Sequence, residues 1–157
     1  MDHMKNGRKV LVDADACPVK DIILRTAKKH LLPVIFFIDT SHILEDDYAE
    51  VVVIGKGKDT VDFALANRTE KKDIVVTQDY GLAAMALSRG ACAVHPSGMI
   101  YTKDNMDRLL LERHLNAKIR RAGGRHSGPS RRKSADDVRF EDAFESLCTA
   151  GPGSSPS

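Results

Sequence analysis

Short, continuous apolar runs alternate along this chain with segments whose apolar residues recur at helical spacing. Lys9-Val10-Leu11-Val12-Asp13, residues 34–38, residues 51–54 and Ile74-Val75-Val76 read as strands, and residues 91–94 as a fifth. Between them, Val19, Ile22, Ile23 and Ala27 fall at helical spacing, as do Val61, Ala64 and Leu65, and then Leu82, Ala83, Ala86 and Leu87. Pro18 suits the first turn of a helix, Pro33 ends the first helical region, and Gly90 caps the last. Strands that are apolar at every position, rather than at every second one, are covered on both faces. The expected class is therefore α/β: three-layer αβα with a mostly parallel central sheet.

Beyond the sheet the pattern changes. Residues 105–121 read as one long helix, with Met106 and Leu110 four apart and Leu111, Leu115 and Ile119 likewise. Gly123-Gly124 stops it. Residues 122–134 combine Gly, Pro, Ser and Arg without apolar periodicity and are expected to form a mobile loop. Val138, Phe140, Ala143, Phe144 and Leu147 then restore helical spacing, so a last helix should dock back on the body. Residues 1–7 are expected to be a tag or tail, 8–148 a single domain and 149–157 a disordered tail.

Charge is segregated. Residues 1–112 hold 15 Lys/Arg and 17 Asp/Glu, net −2; residues 113–133 hold 8 Lys/Arg and no acid, net +8. Residues 134–157 hold one Arg and 5 acids, net −4. A basic block beside a near-neutral body is the pattern of a segment that meets phosphates. No apolar run approaches the roughly 20 residues that cross a bilayer, so no membrane role is expected. Cys17, Cys92 and Cys148 are too few and too odd in number for a disulfide framework, which fits a reducing cytoplasm. No histidine or cysteine spacing suggests zinc.

Open parallel sheets bind ligands beyond the carboxyl ends of their strands, and carboxylates stand there. Asp13 and Asp15 follow the first strand, Asp39 the second, Asp59 and Asp62 the third, and Asp79 the fourth. Clustered carboxylates raise the cost of one another's ionisation. A hard divalent cation removes that cost, can polarise a phosphoryl oxygen and can acidify a water. Capping is the competing role for Asp15, Asp59 and Asp79, which stand where helices begin. Asp13 ends a buried strand, where a carboxylate needs a cation or several donors. Asp59 and Asp62, three apart, can face the same way. Asp39-Thr40-Ser41 reads better as a turn, and Tyr101 as a packing residue.

The segments Val12-Asp13-Ala14-Asp15-Ala16-Cys17-Pro18-Val19-Lys20, Thr77-Gln78-Asp79-Tyr80-Gly81-Leu82-Ala83 and Ile100-Tyr101-Thr102 resemble the bacterial YaiI/YqxD family. So do residues 116–123 and 137–144, in the same order. That family in turn resembles the PIN-like (NYN) nucleases. The resemblance implies a PIN-like domain over residues 8–148 and an acidic ribonuclease centre using Mg2+ or Mn2+. Its metal-binding and catalytic residues fall on Asp13, Asp15, Asp59, Asp62 and Asp79. Two stretches depart from the family pattern. Residues 125–132 stand in place of a Gly-Gly-Pro stretch, and Pro96-Ser97-Gly98 in place of Pro-Arg-Gly, with one positive charge fewer.

Three functions follow as expectations. The first is a metal-dependent ribonuclease, with Lys118, Arg120, Arg121, Arg125, Arg131, Arg132 and Lys133 holding single-stranded RNA. The second is a small-molecule phosphohydrolase in which Asp13 attacks phosphorus and Asp15 serves as acid and base. The third is a non-catalytic RNA-binding protein carried by the basic block alone.

Overall fold

In the computed structural model, residues 7–15, 17–39, 44–55, 60–123 and 132–150 are described. Five strands, β1 (Val10–Asp13), β2 (Val34–Asp39), β3 (Glu50–Ile54), β4 (Ile74–Val76) and β5 (Cys92–Val94), form one sheet in the order β3-β2-β1-β4-β5. Every neighbouring pair is parallel. The helices are α1 (Lys20–Lys29), α2 (Thr60–Arg68), α3 (Tyr80–Ser88), α4 (Lys103–Arg121) and α5 (Ser134–Thr149).

Alternation along the strands divides the core in two. Val10, Val12, Val34, Phe36, Ile38, Ile74 and Val76 pack with Ile23 and Ala27 of α1 and with Phe140, Phe144 and Leu147 of α5. Leu11, Ile35, Phe37, Val75 and Ala93 pack on the other side with Leu65 of α2, Leu82, Ala83 and Ala86 of α3, and Met106 of α4. The result is the expected three-layer αβα arrangement. Asp13 shares the odd-numbered phase of Leu11 and so belongs to the face covered by α2 and α3.

Strand β4 is apolar at every position, and β1 and β2 are apolar up to their last residues, Asp13 and Asp39, because both their faces are covered. The edge strand β3 departs from that expectation: Glu50 and Val53 are exposed, the latter at 55%. The long helix forms as expected but does not bury its apolar stripe. Met106 is buried, whereas Leu110, Leu111, Leu115 and Ile119 are exposed. Val138 of α5 is likewise exposed. The expected loop falls largely on residues 124–131 and the C-terminal tail on 151–157, outside the described residues.

The two ends of the domain are tied by one buried guanidinium. Arg8 donates to the carbonyls of Lys72 (2.9 Å), Ala150 (2.8 Å) and Leu147 (3.0 Å). Three carbonyls beyond or at the ends of elements thereby find a charged donor away from water.

Candidate functional site

In the order β3-β2-β1-β4-β5, the chain moves outward in one direction from β1 to β3 and in the other from β4 to β5. The topological switch point lies between β1 and β4, where sheets of this kind leave a crevice at the carboxyl ends. Asp13 is the last residue of β1. Thr77, Gln78 and Asp79 lie between β4 and α3. A crevice of about 280 Å³ there is lined by Asp13, Asp15, Gln78, Asp79 and Pro96.

Thr77 organises the crevice floor. Its hydroxyl donates to Asp13 Oδ2 at 3.1 Å and accepts the Asp79 N–H at 2.9 Å. Its own backbone is fixed on both sides: the N–H donates to Val94 O at 3.1 Å, and the carbonyl accepts the Tyr101 hydroxyl at 3.1 Å. Tyr101 is buried, as its packing role requires, and burial first, then Tyr80 and Asp79, keeps its hydroxyl protonated well above the usual range.

Asp13 carries the electrostatic signature of the site. Its carboxyl is pushed up to about 6, chiefly by burial. The Thr77 hydroxyl pulls it back down, while Asp62, Asp15 and Asp79 each add like-charge repulsion. Carboxylates from the turn after β1, from the first turn of α2 and from the entry to α3 thus act on the one at the end of β1. That convergence is what the sequence predicts for Asp13, Asp15, Asp62 and Asp79. Asp59 lies outside the described residues.

The capping roles sort themselves residue by residue. Asp79 does cap α3: its Oδ1 accepts the Leu82 N–H at 3.1 Å. Asp15 is not the cap of α1, because Val19 occupies that position and no side chain bonds there. The donor set is hard oxygen throughout, which fits magnesium or manganese. Among the described residues, however, no three acidic, histidine or cysteine side chains meet at one point as a ready-made cation cage. Magnesium retains several waters and takes few direct carboxylates, so an ion at these side chains would have to keep water in most of its coordination positions.

The crevice continues toward α4. Gln78, Asp79, Tyr80 and Arg113 line a hollow of about 200 Å³. Tyr80 and Arg113, with Leu109, Glu112, Asn116 and Arg120, line the next, of about 260 Å³. Shared walls make this one surface channel that passes from carboxylates to guanidinium groups. Arg120, which lines it, is among the residues expected to hold RNA; Arg113 enters that expectation only through the net charge of residues 113–133, and Thr77 and Gln78 do not enter it. Arg113 and Arg120 lie two helical turns apart, the spacing that sets them on one face.

The remaining expected basic residues divide. Lys118 and Arg121 are exposed on α4. Arg132 is engaged structurally: it pairs with Asp137 and donates to Pro96 O at 2.9 Å, fixing the far wall of the crevice. Lys133 occupies the N-cap position of α5, its N–H bound to Asp136 Oδ2 at 2.8 Å. Arg125 and Arg131 lie outside the described residues. Cys17 is a buried free thiol whose proton burial holds on above the ordinary range. No described helix is long and apolar enough to cross a membrane.

Thr77→Val should push the Asp13 carboxyl above about 6, since the hydroxyl now lowers it. The change also strands the Asp79 N–H, at a cost of about 1–3 kcal/mol in unfolding free energy. A carboxyl NMR titration and a denaturant melt read the two effects, and Thr77→Ser should reverse both. An Asp13 titration unmoved in the valine variant refutes this role.

The class defined by this fold and crevice is a parallel α/β domain with an acidic switch-point site and a basic channel beside it. The chain belongs to the family described as "Uncharacterized BCR, YaiI/YqxD family", whose profile matches residues 11–150. It is 52% identical over 145 residues to a UPF0178 protein of Clostridium acetobutylicum, covering 91% of this chain and 98% of that one. It is 55% identical over 136 residues to a UPF0178 protein of Ruminiclostridium cellulolyticum, covering 87% and 89%. A UPF0178 protein of Lachnoclostridium phytofermentans is 53% identical over 142 residues, with 88% and 95% covered. No solved structure matches the chain at a significant level.

Proposed function

We propose that this protein is a divalent-metal-dependent ribonuclease that cleaves single-stranded RNA at the β1–β4 switch point. The observation that carries the reading is the crevice at the β1–β4 switch point, lined by Asp13, Asp15 and Asp79, with Asp62 near enough to act on the Asp13 carboxyl. A fold that keeps like charges together at a ligand crevice retains them against their own repulsion. Magnesium or manganese, when bound, supplies the counter-charge and an acidified water. Asp13 and Asp79 would hold it directly, with Asp15, Asp59 and Asp62 as direct or water-mediated partners.

The chain's own residues then have distinct tasks. Thr77 holds Asp13 against rotation. Arg113 and Arg120 neutralise phosphates of the strand along the channel, and Lys118 and Arg121 extend that field along α4. Gln78 and Pro96 wall the crevice.

The test is cleavage of a labelled single-stranded RNA with Mn2+, with Mg2+ and with excess chelator. Cleavage should require the cation. The pair Arg113→Ala and Arg120→Ala should weaken RNA binding and reduce the salt slope by about 1 for each phosphate no longer neutralised. RNA binding that ignores the cation and survives replacement of the carboxylates would instead establish a non-catalytic binder. An aspartyl-phosphate trapped on Asp13 would establish a phosphohydrolase.

A further inference from the structure

A second hollow adjoins the carboxylates on the side away from α4. It lies between α2 and α3, measures about 310 Å³, and is lined by Asp62, Phe63, Ala66, Asp79, Gly81, Leu82 and Met85. Its character differs from that of the crevice. Ala66, Leu82 and Met85 make an apolar lining. Gly81 keeps it open next to Asp79, because a Cβ there would lie 3.2 Å from Asp79 Oδ1. Phe63 stands at the edge with 69% of its surface exposed, although it occupies α2, a helix that packs on the sheet.

An exposed phenylalanine alone means little. This one shares its hollow with Asp62 and Asp79, both of which act on Asp13. Among the described residues no cationic side chain lines the hollow, whereas the channel past the crevice carries Arg113 and Arg120, so the hollow offers a phosphate no guanidinium of its own. A flat, neutral, polarisable ring needs no such partner: it can stack on Phe63, cover the apolar lining and offer an N–H to the Asp62 carboxylate.

We infer that the α2–α3 hollow takes one nucleobase of the single-stranded RNA, stacked on Phe63, while the adjoining phosphate lies in the Asp13–Asp79 crevice. This rests on the ribonuclease reading and deepens it. The channel past Arg113 and Arg120 carries the phosphates on one side of the cleaved position, and the hollow seats a base on the other. Binding depends on a π-face rather than on sequence, as expected for a general single-strand site.

The chain contains no tryptophan, so Phe63→Trp introduces a single indole, at the proposed stacking position. Titration with an oligoadenylate should quench its fluorescence; an abasic strand of equal length and charge should not. Phe63→Ala and Phe63→Leu should each weaken RNA binding by about 5- to 150-fold. Phe63→Tyr should retain it, and all variants should melt with the wild type because the side chain is exposed. Wild-type protein that binds or cleaves RNA, with Phe63→Ala equal to it and the indole unmoved, overturns the base site and leaves the ribonuclease reading standing. Wild-type protein that neither binds nor cleaves RNA with Mn2+ overturns both.

Discussion

Asp13→Asn should leave the protein without cation-stimulated RNA cleavage and, at neutral pH, more stable than the wild type. The stability gain follows from the sign of the shift. The folded-state carboxyl titrates near 6 against 3.8 for the free group, so the native state binds the proton more tightly than the unfolded chain. Stability contributed by the protonated group is present below about pH 4 and is lost as pH rises toward 6. Asparagine keeps the shape and can still accept the Thr77 hydroxyl, but never ionises. Two pH units correspond to about 3 kcal/mol; partial solvent access lowers this to about 1–3 kcal/mol. Denaturant melts of both proteins should therefore coincide near pH 4 and separate by that amount at pH 7.5. Manganese should raise the melting temperature of the wild type and leave that of Asp13→Asn unchanged. Activity should fall by about 100-fold or more, the scale of removing one electrostatic partner from a reacting phosphate. A variant that is less stable than wild type at pH 7.5, or that cleaves RNA at the wild-type rate, rules out a strained, functional Asp13.

Opposed effects on stability and activity are the mark of a residue kept for chemistry rather than for folding. They also explain which parts of the site are legible in the sequence. Burial of Asp13 can be read from its place at the end of Val10-Leu11-Val12, because a run apolar at every position is covered on both faces. The proximity of Asp62 and Asp79 follows from the parallel class alone, since strand ends and helix starts of such a fold gather at one edge. Thr77 is not legible as a site residue. Its importance comes from two hydrogen bonds whose partners are 64 residues apart in one case and two in the other, and only the β1–β4 pairing brings them together.

The basic block misleads in part for a related reason. Net charge counts Arg113, Arg120 and Arg132 alike, yet only the first two line the channel. Arg132 is committed to Asp137 and Pro96 O. The apolar stripe of α4 misleads in the opposite direction. Helical periodicity in Leu111, Leu115 and Ile119 correctly specifies a helix, but periodicity records which residues share a face, not whether anything covers it. Phe63 gives no sign of itself because Val61, Ala64 and Leu65 mark α2, and an aromatic residue off that face carries no periodic signal.

Gly98→Ala should cost about 2–5 kcal/mol, a large part of the stability of a domain this size. Gly98 sits at φ +96°, where a side chain is strained. A Cβ there would stand 2.6 Å from the carbonyl carbon and 2.7 Å from the oxygen of Arg139, backbone atoms in α5 that cannot rotate aside. Either the turn after β5 or the helix must move. The turn is held by His95 N–H on Met99 O at 2.8 Å and Gly98 N–H on His95 O at 2.9 Å. The helix is anchored by Phe140 and Phe144, both fully buried. Displacement therefore reaches Pro96, whose carbonyl is bound to Arg132 and which lines the carboxylate crevice. The variant should melt well below the wild type and lose cleavage even at temperatures where it remains folded. Ser97→Ala, next to it, leaves the backbone free of any clash and should keep the melting temperature within a few degrees. Equal melting of Gly98→Ala and wild type would mean that the β5–α4 turn and α5 do not pack as closely as this glycine requires.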